Sequence, residues 1–284
     1  MHHVTGLATG PALDPSHRLT LNFHPDRATH GVQLLAALAE GGVYRSQFVT
    51  GTSNGGLTAR PGGDRWRWES RIFGGAYDGA AGSERPVYGA LNYRGAPVGA
   101  APRFGSAHFR LAASALERAT FCYPDSAAEP TDFGVAARMG LIELAEAARR
   151  DQRVDHLDDY IEAQVHGPVV VARDVEALVL DPCYRGTEVE EAARALPCPL
   201  EWHGGYRLSV RELRLHPEYR GARITELGAL IAEGGRLDPA VIGAAVHGGA
   251  YEPQDLKKVW HCLARFGRPG APLDSPLRTA SAPA

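Results

Sequence analysis

The stretch DDYIEAQVHGPVVVARDVEALVLD, Asp158 to Asp181, decides how the rest of the chain is read. From Tyr160 to Val165 apolar and polar residues alternate. In a strand, alternate side chains leave on opposite faces, so Ile161, Ala163 and Val165 make one face and Tyr160, Glu162 and Gln164 the other. His166-Gly167-Pro168 stops the run, and Val169 to Leu180 supplies β-branched residues for its continuation and partner. The stretch is therefore expected to be two strands joined by a turn, with Glu162 on a polar strand face as the leading catalytic residue. A polar face that meets only water is the plainer reading.

Two segments elsewhere repeat the pattern. Leu19, Leu21 and Phe23 alternate with Thr20, Asn22 and His24, and Ala107, Phe109 and Leu111 alternate with Ser106, His108 and Arg110. In one sheet or two facing sheets backed by helices, the three polar faces line a common cleft, which suits a polar, phosphate-bearing ligand. Val43 to Val49 reads as a further strand with Arg45 and Gln47 on one side, and Arg85 to Tyr93 as another. The loop Thr50 to Gly56 has neither Walker nor Rossmann spacing and fits an ordinary turn as well as a ligand loop. Arg60 to Gly82 sets Trp66, Trp68, Phe73 and Tyr77 among arginines, and reads as a long loop packed on the body, with base stacking as the alternative. Phe133 to Arg150 has the strongest helical period, and Glu188 to Leu196 is a second helix. A strand from Tyr206 to Leu215 precedes helices over Ile224 to Glu233, from Asp238 as N-cap with Pro239 behind it, and over Asp255 to Phe266.

A chain of 284 residues with 44% hydrophobic content can bury a core without staples. Its net charge of −3 predicts no bulk attraction to nucleic acid or membrane. The four cysteines show no C-x-x-C pair and no zinc spacing, so free thiols in a reducing cytoplasm are expected, and no metal. With no signal-peptide pattern and no membrane-length apolar run, the expected location is cytoplasmic, delivery as an effector being left open. The expected organisation is a surface extension over 1–18, an α+β core over 19–216, a helical region over 217–270 and a disordered tail over 271–284.

The segments LNFHPDR, YRSQFVTGTSNGGLTARPGGDR, RPVYGALN, PRFGSAHFRL and YIEAQVHGPVVVARDVEALVLD resemble a bacterial family defined only as a domain of unknown function. More remotely, their order is similar to the ADP-ribosyltransferase fold, which has an Arg or His on an early strand, a Ser or Tyr/His on a middle strand, and a Glu on a late strand followed by a turn and another strand. The resemblance implies an ADP-ribosyltransferase-like split β-sheet core with flanking helices, and NAD as substrate. Carried over, the early position is Arg45 or His24, the middle one Ser106 or His108, and the late one Glu162. Glu162 would accept from the ribose 2′-hydroxyl and steady an oxocarbenium-like state. Arg45 would hold the pyrophosphate, Ser53 and Asn54 the phosphates or carboxamide, and Tyr88 would stack on nicotinamide. Gln164, beside Glu162 on the polar face, joins the cofactor-binding set. Phe104-Gly105-Ser106 is not Ser-Thr-Ser, and Tyr160 stands where arginine-directed enzymes carry Glu or Gln, so modification of arginine is not implied and the acceptor stays open. An NAD glycohydrolase using the same site, and a non-catalytic nucleotide- or partner-binding module, are the competing readings.

Overall fold

Each alternating segment becomes a strand, and long-range pairing assembles them. The computed structural model describes residues 1–29, 32–51, 58–151 and 154–269. The chain divides into two compact units, Met1–His203 and Gly204–Ala284. The first is built on an eight-stranded mixed sheet whose strands, in chain order, are β1 (Leu19–Phe23), β2 (Val87–Leu91), β3 (Ala107–Leu111), β4 (Ala119–Tyr123), β5 (Asp132–Val135), β6 (Glu162–Val165), β7 (Val175–Leu180) and β8 (Leu200–Trp202). They lie in the order β8-β7-β3-β1-β2-β6-β4-β5. Neighbours are antiparallel except β7 and β8, which are parallel. Its longer helices are α1 (His2–Leu7), α2 (Leu34–Gly41), α3 (Asp64–Ile72), α4 (Leu141–Arg150) and α5 (Glu188–Arg194). The chain is thus of the α+β class.

Register sorts the side chains. Leu21 lies opposite Phe109, Phe23 opposite Ala107, and Ala163 opposite both Gly89 and Phe121, so the apolar residues share one face. There Phe23 stacks on Phe109 at 5.0 Å, with the edge of Tyr44 at 6.0 Å from Phe109. Each fully buried large side chain of this kind stabilises the fold by roughly 1.5–3 kcal/mol. The opposite face carries Thr20, Asn22, His108, Tyr88, Glu162, Gln164, Thr120 and Cys122. Most of it is covered: Glu162 is 5% exposed and Gln164 1%. An apolar cluster containing Val4, Trp68, Ile72, Phe73, Cys122 and Phe133 closes over it, bringing α1 and α3 onto the sheet.

The sheet has a seam. β1 and β2 are paired only at Leu19–Leu91 and Thr20–Ala90, two pairs, while β1–β3 and β2–β6 have four each. A Cβ on Gly89 would stand 2.5 Å from Leu21 Cδ2 and 2.7 Å from the Thr20 carbonyl, so glycine is needed where the two strands begin to part.

Several elements differ from expectation. Only Val43–Tyr44 is strand, paired with Val169–Val170, and Gln47–Thr50 is a helical turn closed by left-handed Gly51, so Arg45 and Gln47 share no strand face. Arg60 to Gly82 contains α3, because Arg65, Trp68, Glu69 and Ile72 recur at helical spacing and all are buried. Phe133 to Arg150 splits into β5 and α4 at a turn where the Val135 amide donates to the Arg138 carbonyl at 3.0 Å. Between Val170 and Val175 a helical turn intervenes, held by the Val170 amide donating to Asp174 at 2.7 Å. Residues 1–18 fold into α1 and a segment tied down by amide bonds from Leu13 to Ala136 and from Gly140 to Thr9, at 2.7 and 2.8 Å. Cys122, Cys183, Cys198 and Cys262 are free thiols.

The second unit pairs Leu208–Ser209 with Arg236–Leu237 and adds α6 (Ala222–Ile231), α7 (Pro239–His247) and α8 (Pro253–Phe266). Asp238 caps α7, its Oδ1 accepting from the Val241 amide at 3.0 Å, and Tyr206 meets Trp260 edge to face at 5.1 Å. The strand expected from Tyr206 to Leu215 is two residues long and runs into a helical turn, Val210–Leu213. The tail at 271–284 lies outside the described residues. No helix among the described residues is long and apolar enough to cross a membrane.

Candidate functional site

At the seam a cleft of about 790 Å³ opens. Asn22, Phe23 and His24 at the end of β1 form one wall, and Val87, Tyr88 and Gly89 at the start of β2 the other. Residues of α2 and of the Val43–Thr50 segment, Arg65 of α3, and Glu162 complete it. Among the described lining residues, three arginines (Arg27, Arg45, Arg65) face two carboxylates (Glu40, Glu162).

Glu162 is the most heavily engaged of them. Register places it between Ala90 of β2 and Cys122 of β4, so its neighbours are set by the strand ladder. Its Oε2 accepts from the Ser126 hydroxyl at 2.8 Å and from the Ser126 amide at 3.3 Å. Its Oε1 accepts from Gln164 Nε2 at 3.0 Å, with the Cys122 thiol at 3.8 Å. Arg65 Nη1 stands 3.9 Å from Oε1 and donates to the Ser126 hydroxyl at 2.7 Å, so that serine links the cation to the carboxylate. Burial raises the Glu162 carboxyl above the ordinary range, opposed first by Arg65 and then by the Ser126 hydrogen bond. The result is a desolvated carboxylate on a cleft wall, with fixed donors on both oxygens. Such a group accepts from a ligand hydroxyl and stabilises positive charge developing beside it.

Arg65 is itself held by an aromatic ring. Its guanidinium carbon lies 3.9 Å from the Tyr88 ring centroid, within cation–π range. One face of Tyr88 is therefore occupied by Arg65, which leaves less of the ring for the nicotinamide stacking expected of it. The Tyr88 hydroxyl donates to Glu69 at 2.8 Å, and Glu69 accepts from Arg85 at 2.6 Å. Two buried acid–base pairs thus flank one tyrosine.

The other expected site residues separate into two groups. His24 and Arg45 line the cleft with Glu162 and Tyr88. Ser106 and His108 do not: β3 lies on the far side of β1, where the Ser106 carbonyl accepts from His203 Nε2 at 2.7 Å. Burial, with His203 and Arg110 nearby, pushes the His108 imidazole down to about 3. Gln164 is buried behind Glu162 rather than in the cleft wall. Ser53 and Asn54 lie outside the described residues. Asn22 lines the cleft but serves the scaffold, its Nδ2 donating to the Val98 carbonyl at 2.9 Å. Among the described residues no group of three or more His, Cys, Asp or Glu side chains is placed to hold a metal ion.

Sequence reasoning missed Arg65, Ser126 and Arg27. Only Arg65 carried a signal, its helical spacing to Trp68, Glu69 and Ile72. Ser126 opens a single 3-10 turn, Ser126–Ala128, capped by Asp125 soon after β4, and reaches Glu162 through the β4–β6 pairing.

Residues 18–146 and 141–266 match a family described as "Protein of unknown function (DUF3626)". The chain is also similar to the Gene 2 protein of Mycobacterium phage L5, with 26% identity over 199 residues, 59% of this chain and 73% of the phage protein.

Proposed function

The chain belongs to the DUF3626 family of proteins of unknown function, and we propose that it is an NAD-dependent ADP-ribosyltransferase that uses Glu162 as its catalytic carboxylate. One observation carries the reading: the late-strand glutamate stands, desolvated and fixed by donors, on the wall of a cleft of dinucleotide size that three arginines also line. Its strand, β6, is followed by the turn at Gly167 and by further strands, as the resemblance requires. The strand between β1 and β6 is β2. Tyr88 therefore suits the middle position better than Ser106 or His108, and His24, next after β1, suits the early position better than Arg45. In this reading His24, Tyr88 and Glu162 are the functional trio, and Arg27 and Arg45 neutralise the diphosphate.

The chemistry is glycosyl transfer. The bond between the ribose C1′ and the nicotinamide nitrogen breaks, its electron pair leaves with nicotinamide, and an acceptor nucleophile closes on C1′ and releases its proton. Glu162 accepts from the 2′-hydroxyl and opposes the positive charge built on the sugar. One observation favours water or a small acceptor, as in an NAD glycohydrolase. Tyr160, where arginine-directed enzymes present a carboxylate or amide, is 2% exposed, and its hydroxyl is tied to Asp125. The binding-module reading is weakened by the burial of Trp68 in the core.

The test is nicotinamide release from NAD by wild type and Glu162→Gln, with free ADP-ribose counted against ADP-ribose bound to acceptors. Release that falls at least ~100-fold in the variant is expected. Equal turnover in both proteins would remove Glu162 from the mechanism.

A further inference from the structure

Behind Glu162, away from the cleft, four side chains form an unbroken line of hydrogen bonds. Tyr77 Oη lies 2.7 Å from His166 Nδ1, His166 Nε2 lies 3.0 Å from Thr120 Oγ1, Thr120 Oγ1 donates to Gln164 Oε1 at 2.8 Å, and Gln164 Nε2 donates to Glu162 Oε1 at 3.0 Å. Thr120 and Gln164 face each other directly in the β4–β6 ladder, so the middle of the line is set by strand register. Its outer end is packed in place. The Tyr77 ring lies parallel to the imidazole with centroids 5.9 Å apart, Phe73 meets the imidazole edge-on, and Arg118 donates to the His166 carbonyl at 2.7 Å.

The direction of every bond follows from one end. An ionised carboxylate can only accept, so Gln164 must turn its NH₂ to Glu162 and its carbonyl to Thr120. The second amide hydrogen has a place as well, since Cys122 Sγ lies 3.4 Å from Nε2. The single hydroxyl proton of Thr120 is then used on Gln164, and its oxygen must accept from His166. The imidazole therefore carries its proton on Nε2, and its bare Nδ1 accepts from the Tyr77 hydroxyl. Burial holds His166 down to about 3, with the N-terminal amine and Arg118 acting in the same sense, so the ring stays neutral and Nδ1 stays an acceptor.

We propose that Gln164, Thr120 and His166 are positioning residues, joined in a relay of single polarity whose donors all point toward Glu162. The relay aims Glu162 Oε1, while Ser126 holds Oε2. Aligned donors of this kind polarise one another, and the last of them acts on a charge. The polarity stands on the geometry and on an ionised Glu162; only its consequence for turnover rests on the transferase reading.

Nitrogen-15 NMR of the histidine-labelled full chain tests it. In wild type, His166 should be the neutral Nε2–H tautomer across about pH 6–8. In Gln164→Leu the Thr120 proton is released to turn toward the ring, and a second His166 tautomer should appear although residue 164 makes no bond to it. Thr120→Ser keeps the hydroxyl and should keep the wild-type tautomer. Nicotinamide release should fall about tenfold in Gln164→Leu and survive in Thr120→Ser, one charge-assisted hydrogen bond being at stake. An Nδ1–H tautomer in wild type overturns the proposal, and that measurement needs no variant to fold. An unchanged tautomer in folded Gln164→Leu overturns it too. If wild type releases no nicotinamide the transferase reading fails, and the tautomer still decides the relay.

Discussion

Replacing Glu69 by methionine isolates a charge in the interior. Glu69 and Arg85 meet at 2.6 Å with side chains 0% and 3% exposed, so the small values typical of surface pairs do not apply. The substitution removes the carboxylate that Arg85 pairs with and leaves its charge buried, although its other amino group still donates to the Tyr77 carbonyl and its guanidinium still lies 4.2 Å from the Phe48 ring centroid. It also strands the Tyr88 hydroxyl. Removing one partner of such a pair costs about 3–5 kcal/mol. At ~2–4 °C per kcal/mol for a unit of this size, the midpoint falls by about 6–20 °C. Removing both partners is different, because burial outweighs the favourable contacts of Glu69 and raises its carboxyl pKa. Glu69→Met/Arg85→Met should therefore recover most of that loss, since a well-packed apolar pair replaces a desolvated ionic one, and fall short of wild type by ~1–3 kcal/mol for the Tyr88 hydroxyl that stays stranded. Urea denaturation followed by tryptophan fluorescence reads all four corners of the cycle, Trp68 being on the same helix as Glu69. A loss below ~1 kcal/mol for Glu69→Met, or additivity with Arg85→Met, would refute the reasoning.

Three further outcomes are expected. Glu162 has its folded-state pKa raised above the ordinary 4.5, so the stability it contributes is full below that value and is lost as pH rises through the folded pKa. The unfolding free energy of wild type relative to Glu162→Gln should thus be larger, meaning greater stability, at about pH 4 than at about pH 7.5; a slope of opposite sign contradicts the burial argument. Gly105→Ala would put a Cβ 1.9 Å from the Phe23 carbonyl carbon and 2.5 Å from the His24 amide, so a loss of ~1–3 kcal/mol or more is expected, with weaker NAD binding by calorimetry because the end of β1 moves. Asp238→Ala removes the α7 cap and should cost ~1 kcal/mol in urea denaturation, without changing nicotinamide release.

Several strands of the sheet are legible because alternation is a local property. Leu19 to Phe23, Ala107 to Leu111 and Glu162 to Val165 declare themselves residue by residue through alternation, while Val87 to Leu91 reads as a short strand without it. What alternation does not give is the neighbour of each strand. Placing β2 rather than β3 between β1 and β6 brings Tyr88 beside Glu162 and sends Ser106 and His108 elsewhere, and no spacing in the chain encodes that order. The helix over Phe133 to Arg150 was overextended because Val135, Met139 and Ile142 fit a helical period, while Gly134 lies in a strand and packs 3.1 Å, measured from a Cβ built on it, from Met139 Sδ. α3 was hidden by its glycine-rich flanks, although its buried residues had helical spacing. Ser126 had no signal, since its function comes entirely from a contact made 36 positions away.

The seam between β1 and β2 bears on how the chain reaches this fold. It separates β8, β7, β3 and β1 from β2, β6, β4 and β5, and the polypeptide passes from one group to the other four times: from β1 to β2, β2 to β3, β3 to β4, and β6 to β7. Neither group is a continuous piece of chain, so neither can be completed on the ribosome before the other is under way. Folding must await partners distant in sequence, which makes it slow for its size. The same threading protects the finished protein. Only two residue pairs join the groups at the cleft, yet a protease that nicks any single connection leaves them still laced together by the other three.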